Sequence, residues 1–118
     1  MIEHLAKLVN DDPAIQRWGR HMNETFMVEV GATQYLVAVR AGRIESVDKG
    51  PFAQRAWRFA IRAKEEHWKN FWRNPPLPGW HDLFGLLRRG EVAFEGDQRV
   101  LMAHLLYLKL VLASPRKL

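Results

Sequence analysis

The chain has 118 residues, no cysteine and a formal net charge of +5. A chain of this length can bury a core without covalent staples, so we expect a single domain over residues 1–118. The missing cysteine excludes disulfides, thiolate zinc sites, iron–sulfur clusters and a cysteine nucleophile. The positive charge favours an anionic partner, although a solvated basic surface is the simpler explanation.

The N-terminal segment, MIEHLAKLVNDD, predicts helix and carries no export signal. Its apolar residues recur at helical spacing, and Asp12 followed by Pro13 is typical of the start of a second short helix. A secretory signal would need a basic leader before an apolar block and a small-residue cleavage site, and the segment has neither. We therefore expect a cytoplasmic location.

Residues 24–50 predict three antiparallel strands. Apolar and polar residues alternate through FMVEV and again through YLVAV, with the turn sequence GAT between them. A second turn, AGR, leads into IESVDKG, and the dipeptide GP ends this meander.

The sequence AWRFAIRA predicts a fourth strand with a bulky inner face. Strand alternation would place Trp57, Phe59 and Ile61 on the inner face. Arg58 and Arg62 would then lie on the outer face. This separation argues against nucleic-acid binding, because a single-strand platform needs its aromatic rings and its positive charges on the same surface.

The C-terminal half predicts helices around one more strand. KEEHWKNFWR groups its aromatic residues at helical spacing, NPPLPG forms a stiff loop, HDLFGLLRRG is a short helix ended by glycine, and EVAFE is a strand. The elements therefore follow the order α-β-β-β-β-α-α-β-α. This order predicts an α+β fold with a mainly antiparallel five-stranded sheet covered by helices.

The last helix, from Asp97 to Ala113, is predicted to be hydrophobic on most sides. Its polar residues Arg99, His104 and Lys109 are five positions apart and scatter around the axis. The apolar run is too short to span a membrane. The apolar surface of this helix must therefore be covered by the rest of the domain, by a bound lipid or by a second copy of the chain. We expect a homodimer where lipid does not cover it.

Catalytic and metal-binding motifs are missing from the sequence. The five histidines are scattered without an HExxH arrangement, and no GxSxG, phosphate loop or dinucleotide fingerprint occurs. His81 and Asp82 are adjacent, but neighbours on a helix point about 100 degrees apart. We expect no catalytic residue, no metal and no cofactor.

Three stretches resemble the sterol carrier protein type 2 family. LRRGEVAFEGDQRVLMAHL is similar to the family's glycine, short strand, Gly-Asp and apolar helix. FMVEVGATQYLVAVRAGRIESVDKG resembles its opening meander, and WRFAIRAKEEHWKNFW resembles its strand followed by a helix with a central aromatic residue. The resemblance covers about Asp12 to Leu112. It implies a five-stranded sheet enclosing an apolar cavity that accepts sterols, fatty acyl chains or other lipids.

The resemblance also implies non-catalytic binding of a hydrophobic ligand, with at most peripheral contact with a membrane. Arg88 and Arg89 would meet a carboxylate or phosphate head group at the rim. The ligand's tail would contact bulky side chains of the inner sheet face and the facing helices: Trp57, Phe59, Ile61, Phe71, Trp72, Leu86, Leu105, Leu108 and Leu112.

Two alternatives remain open. Four of the aromatic side chains, Trp57, Phe59, Phe71 and Trp72, would fill the cavity if they point into it, and the chain would then be an interaction or dimerisation module. An enzyme would instead use His81 and Asp82 beside the pocket.

Overall fold

Five strands form one sheet in the computed structural model, which describes residues 1–118. The strands are β1 (Thr25–Val30), β2 (Thr33–Arg40), β3 (Arg43–Lys49), β4 (Phe59–Ala63) and β5 (Ala93–Gly96). They lie side by side in the order β3-β2-β1-β4-β5. Three neighbouring pairs are antiparallel, and β1 and β4 are parallel. The predicted α+β fold with a mainly antiparallel sheet is confirmed.

The parallel pair follows from the path between β3 and β4. These two strands point the same way, so residues 50–58 must carry the chain back along the sheet before β4 can pair with the free side of β1. We call this segment the return loop. It runs across the outer face of the sheet, whereas the helices cover the inner face.

Six short helices complete the fold: α1 (Leu5–Asn10), α2 (Pro13–Trp18), α3 (Glu65–Trp72), α4 (Leu83–Arg89), α5 (Gln98–Ala103) and α6 (Leu105–Ala113). Turns of 3-10 helix occupy Ile2–His4 and Ser114–Lys117. Carboxylates of Asp12, Asp82 and Asp97 cap α2, α4 and α5 by accepting backbone N–H groups of the first turn. None of the helices has the length and apolarity needed to cross a bilayer.

The prediction of one continuous helix from Asp97 to Ala113 is wrong. The helix breaks at His104, whose φ of −121° and ψ of 24° are not helical. Leu101 of α5 is buried, and four residues of α6 are buried: Tyr107, Leu108, Val111 and Leu112.

The fold itself therefore covers most of the apolar C-terminal surface. Only Met102 of α5 and Leu106 of α6 remain exposed among its large apolar side chains, at 48% and 45%. The area that needs a further cover is smaller than a continuous apolar helix would have presented.

Phenylalanine rings connect the inner face of three strands. Phe26 and Phe59 stack with ring centroids 5.2 Å apart, and Phe59 lies 5.8 Å from Phe94. Phe59 and Ile61 are fully buried in the main core, which places them inward as predicted. The aromatic row runs from the middle of the sheet to its β5 edge.

Trp57 does not lie on the inner face, contrary to the prediction. It packs with Phe52 against an apolar patch on the outer face of the sheet, formed by Met27, Leu36 and Ala60. The Arg62 guanidinium lies 5.9 Å from the centre of its ring, on the same face. The physical reason is that β4 begins only at Phe59, so Trp57 belongs to the return loop and strand alternation does not extend to it.

Helix α1 covers the β3 edge of the sheet. The Asn10 amide nitrogen donates to the Ile44 carbonyl oxygen, and the Ile44 N–H donates to the Asn10 amide oxygen, both over 2.9 Å. This pair supplies the two hydrogen bonds that a neighbouring strand would otherwise make to Ile44, so the edge is satisfied at this residue.

Helix α6 is fixed against the N-terminal half through Tyr107. Its hydroxyl donates to the Gly42 carbonyl oxygen over 2.7 Å, and burial raises the pKa of Tyr107 far above its ordinary value. A Cβ atom at Gly19 would lie only 2.4 Å from the Tyr107 ring, so the contact requires glycine at that position.

Substitutions of Phe59 and Trp57 compare the contributions of the inner and outer faces of the sheet to the free energy of unfolding. We expect Phe59→Ala to lower the free energy of unfolding by about 3–5 kcal/mol, because it leaves a cavity in the main core. Trp57→Ala should cost about 1 kcal/mol, because Trp57 is only half-buried on the outer face. Urea denaturation of the two variants measures the difference, and equal losses would contradict the outer placement of Trp57.

Candidate ligand-binding site

Most of the side chains predicted to contact a ligand form the packed interior between sheet and helices. Seven of them are buried in one cluster: Phe59, Ile61, Phe71, Trp72, Leu86, Leu108 and Leu112. Leu105 is half-buried and packs against this cluster, whereas Trp57 lies on the outer face. The structure thus brings eight of the nine side chains together. They pack against one another in one core cluster instead of lining an open cavity.

Helix α3 supplies the largest side chains of this interior. Trp68 is 1% exposed, stacks on Trp72 at 5.1 Å and meets the edge of Phe71 at 6.0 Å. The Trp68 indole N–H donates to the Glu29 carbonyl oxygen over 2.9 Å, and that of Trp72 donates to the Leu112 carbonyl oxygen over 2.8 Å. Trp68 was missing from the predicted set, although its helical spacing to Phe71 and Trp72 already placed it on their face.

An apolar groove of about 370 Å³ opens at the surface between α4, β5 and α5. We call it the apolar groove. Phe94 belongs to its wall and also to the phenylalanine row, so the groove borders the main core. Its volume lies within the usual range of small-molecule sites, about 300–1,000 Å³. Its lining is Phe84, Leu87, Arg88, Gly90, Val92, Ala93, Phe94, Gln98, Leu101 and Met102.

The two arginines predicted to bind a head group differ in their contacts. Arg88 lines the apolar groove, is exposed and makes no ion pair or side-chain hydrogen bond within the chain. Arg89 is held by the Glu91 carboxylate, donates to the Gly79 carbonyl oxygen over 2.6 Å and lies 6.0 Å above the Trp80 ring. Arg89 therefore anchors the proline-rich loop, and only Arg88 has no partner within the chain. Contact of either arginine with a ligand head group stays a prediction.

A second concavity, of about 460 Å³, lies on the other side of β5 and is lined mainly by polar residues. We call it the polar pocket. Its lining is Glu29, Gly31, Arg62, Ala63, Lys64, His67, Gly90, Glu91 and Ala93. Gly90 and Ala93 also line the apolar groove, so the two concavities share a wall. Sequence patterns gave no sign of this pocket, because its residues come from three separate segments of the chain.

His67 has a defined hydrogen-bonding state in the polar pocket. Its Nδ1 lies 2.9 Å from the Glu91 carbonyl oxygen. A carbonyl oxygen can only accept, so Nδ1 carries a proton, and Nε2 of the neutral ring is an acceptor. Nε2 has no partner in the chain, and no buried side-chain nitrogen lacks a partner, so solvent reaches Nε2.

His81 and Asp82 do not form a hydrogen-bonded dyad. The Asp82 carboxylate accepts the Phe84 N–H over 3.0 Å and pairs with the Lys109 ammonium at 3.1 Å. These contacts stabilise the start of α4 and tie it to α6. No group of three or more His, Asp or Glu side chains is placed to hold a metal ion.

The outer face of the sheet carries arginines that are paired with carboxylates. Trp57 and Arg62 share this face, so the separation of rings from charges expected from the sequence does not hold. The positive charges are nevertheless neutralised locally, which leaves little attraction for a phosphate backbone. The pairs are Arg40 with Glu45, Arg55 with Asp48, Arg58 with Glu24 and Asp97, and Arg62 with Glu29 and Glu95.

Comparison with known proteins gives matches in structure. No protein-family model matches the chain, and no curated protein matches its sequence. A crystal structure of sterol carrier protein 2 superposes with a TM-score of 0.81 at 12% identity, over 99% of this chain and 94% of that one.

Two further solved structures share the architecture. The palmitated SCP2L2 of Aedes aegypti has a TM-score of 0.58 at 18% identity, over 91% of this chain and 87% of that one. The ubiquinone synthesis protein UbiJ-SCP2 has a TM-score of 0.60 at 19% identity, over 93% and 87%. The element order, the sheet and these superpositions together show that the chain has the fold of the sterol carrier protein 2 domains.

Proposed function

We propose that the protein binds a hydrophobic ligand, such as a sterol, a fatty acyl chain or another lipid, and carries or presents it without changing it chemically. The observation that carries the proposal is the apolar groove, which joins the phenylalanine row of the core and has one unpaired cation, Arg88, in its lining. The fold supports the same function, because one protein that shares it was solved in a palmitated form.

The ligand's chain would enter between α4 and α5 and displace water from Phe94, Leu87 and Met102. Burial of apolar surface gives about 25 cal/mol per Å², so a long chain gains more than a short one. The interior beyond Phe94 is filled by side chains of its own. A ligand that reaches the predicted internal cavity must therefore move the short helix α5, which has only six residues.

Arg88 would give an anionic ligand its first contact, because it lines the groove and has no partner in the chain. Arg89 supports this arrangement indirectly by fixing the loop at Gly79 beside α4. The enzyme alternative loses its main support, because the Asp82 carboxylate is occupied by the α4 N-terminus and by Lys109.

Two glutamate substitutions on neighbouring helices test the site. Met102→Glu places a charge in the apolar groove, and we expect it to weaken binding of a fluorescent fatty acid at least about tenfold. Leu106→Glu is the matched control, because Leu106 is similarly exposed but does not line the groove. Fluorescence titration of delipidated protein measures both affinities.

Failure of fatty acid and sterol probes to saturate the unsubstituted protein would overturn the proposed function. Equal weakening by Met102→Glu and Leu106→Glu would show that the ligand does not occupy the apolar groove. Circular dichroism of each variant checks that the fold is kept.

A second candidate function is an interaction module, and the filled interior favours it. Trp68, Phe71 and Trp72 pack in the interior between the sheet and the helices, where the sequence predicted a cavity. A ubiquinone synthesis protein has the same fold, which is compatible with an accessory role beside enzymes. In this case the exposed Met102 and Leu106 would contact a second copy of the chain.

Sedimentation equilibrium tests the homodimer. We expect a dimer that Leu106→Glu converts to a monomer, because an apolar contact at the centre of a two-fold interface would be replaced by two like charges. A single mass of 13.8 kDa at high protein concentration, with and without added lipid, would contradict it.

A further inference from the structure

We propose that the ligand of this protein is a single-chain amphiphile with a phosphate head, whose chain lies in the apolar groove and whose head is bound in the polar pocket by Lys64 and His67. This inference rests on the proposed function and names the ligand class. It follows from the shared wall of two concavities of opposite character.

The wall between the concavities is low. Gly90, with φ of +82°, has no side chain, and a Cβ built there would find no atom within 4 Å. Ala93 is exposed and presents only a methyl group. The two residues between them turn elsewhere, because Glu91 pairs with Arg89 and Val92 is buried in the core. An amphiphile can therefore cross this wall without meeting a large side chain.

The acidic residues of the polar pocket are already neutralised. The Glu29 carboxylate accepts from Arg62 over 3.0 Å and from the Gln34 amide over 3.1 Å. Arg62 is further paired with Glu95 at 2.9 Å. Glu91 is paired with Arg89, which lies outside the pocket.

Two groups of the polar pocket then remain available to a ligand. The Lys64 ammonium is exposed and makes no ion pair or side-chain hydrogen bond. Nε2 of His67 is open to solvent and accepts when the ring is neutral. The polar pocket is therefore lined by one residue with a strong donor and one residue with an acceptor.

A phosphate monoester fits this pair better than a carboxylate does. Its monoanion has charged oxygens that accept from the Lys64 ammonium and a hydroxyl that donates to His67 Nε2. An ionised carboxylate has two acceptor oxygens and no hydroxyl, so it can bind the Lys64 ammonium but has no donor for His67 Nε2. A long-chain alcohol has a donor for His67 but no charge for Lys64.

The experiment compares ligands that share one chain and differ in the head. Hexadecyl phosphate, hexadecanoate and hexadecanol are titrated below their aggregation concentrations, by displacement of a fluorescent fatty acid. We expect the phosphate to bind about tenfold more tightly than the alcohol, with the carboxylate between them. Inorganic phosphate should not displace the probe at millimolar concentration, because it has no chain.

Substitutions locate the head. Lys64→Gln should reduce the phosphate's affinity to that of the alcohol. His67→Phe keeps a planar ring and removes both ring nitrogens, so the acceptor is lost and only the preference for phosphate over carboxylate should disappear. Lys49→Gln, an exposed lysine on the far edge strand, is the charge-matched control and should change nothing.

Two further variants test the path of the ligand. Arg88→Gln should keep most of the phosphate preference, because Arg88 lies in the other concavity. Ala93→Trp places a large side chain between the two concavities. It should remove the preference for hexadecyl phosphate while hexadecanol still binds. If Arg88→Gln alone abolishes the preference, or Ala93→Trp has no effect, the head is not in the polar pocket and the inference is overturned.

The possible failures are distinguishable. Equal binding of all three heads to the unsubstituted protein would overturn the phosphate assignment and leave the proposed function standing. Absence of binding by every chain, including the fluorescent probe, would overturn the proposed function and this inference with it.

Discussion

Two buried indole N–H groups fix helix α3 between the sheet and the C-terminal helix. Trp68 donates to Glu29 of β1, and Trp72 donates to Leu112 of α6. An eight-residue helix is not stable by itself, and a buried donor without an acceptor costs about 1–3 kcal/mol. The position of α3, and with it the filling of the interior, therefore depends on these two hydrogen bonds.

This arrangement decides how a ligand can be accommodated. In a carrier with an empty interior, insertion of a ligand's hydrocarbon chain would cost little free energy. Here the rings of Trp68, Phe71 and Trp72 already make dense contacts. The surface concavities beside β5 require no such displacement. A ligand in the interior would lie against these rings, so its binding would be accompanied by a change in tryptophan environment.

Sequence patterns predicted the parts of the fold that depend on local periodicity. Alternation correctly oriented Phe59 and Ile61, and Asp12 followed by Pro13 correctly located the start of α2. The prediction for Trp57 was wrong because strand alternation begins only at Phe59. The start of β4 is set by its pairing with β1, which local sequence does not show. The break at His104 also had no local signal, since neither proline nor glycine marks it.

The candidate site was less predictable, because it depends on contacts between distant segments. Arg88 and Arg89 are neighbours with the same chemistry, and only the fold shows that one is anchored to Gly79 while the other is free. His67 acquires its defined tautomer from the Glu91 carbonyl oxygen, 24 positions away. Residue type alone could not distinguish these roles.

The clamp of Asn10 on Ile44 makes the two edges of the sheet unequal. Ile44 of the β3 edge is clamped within the chain, whereas β5 at the other edge carries no equivalent side-chain clamp. Polymerisation by edge pairing needs two available edges on each molecule, because every added copy must offer a new end. A side-chain clamp at Ile44 hinders strand pairing at the β3 edge, so pairing between copies would favour the β5 edges and end at a closed pair.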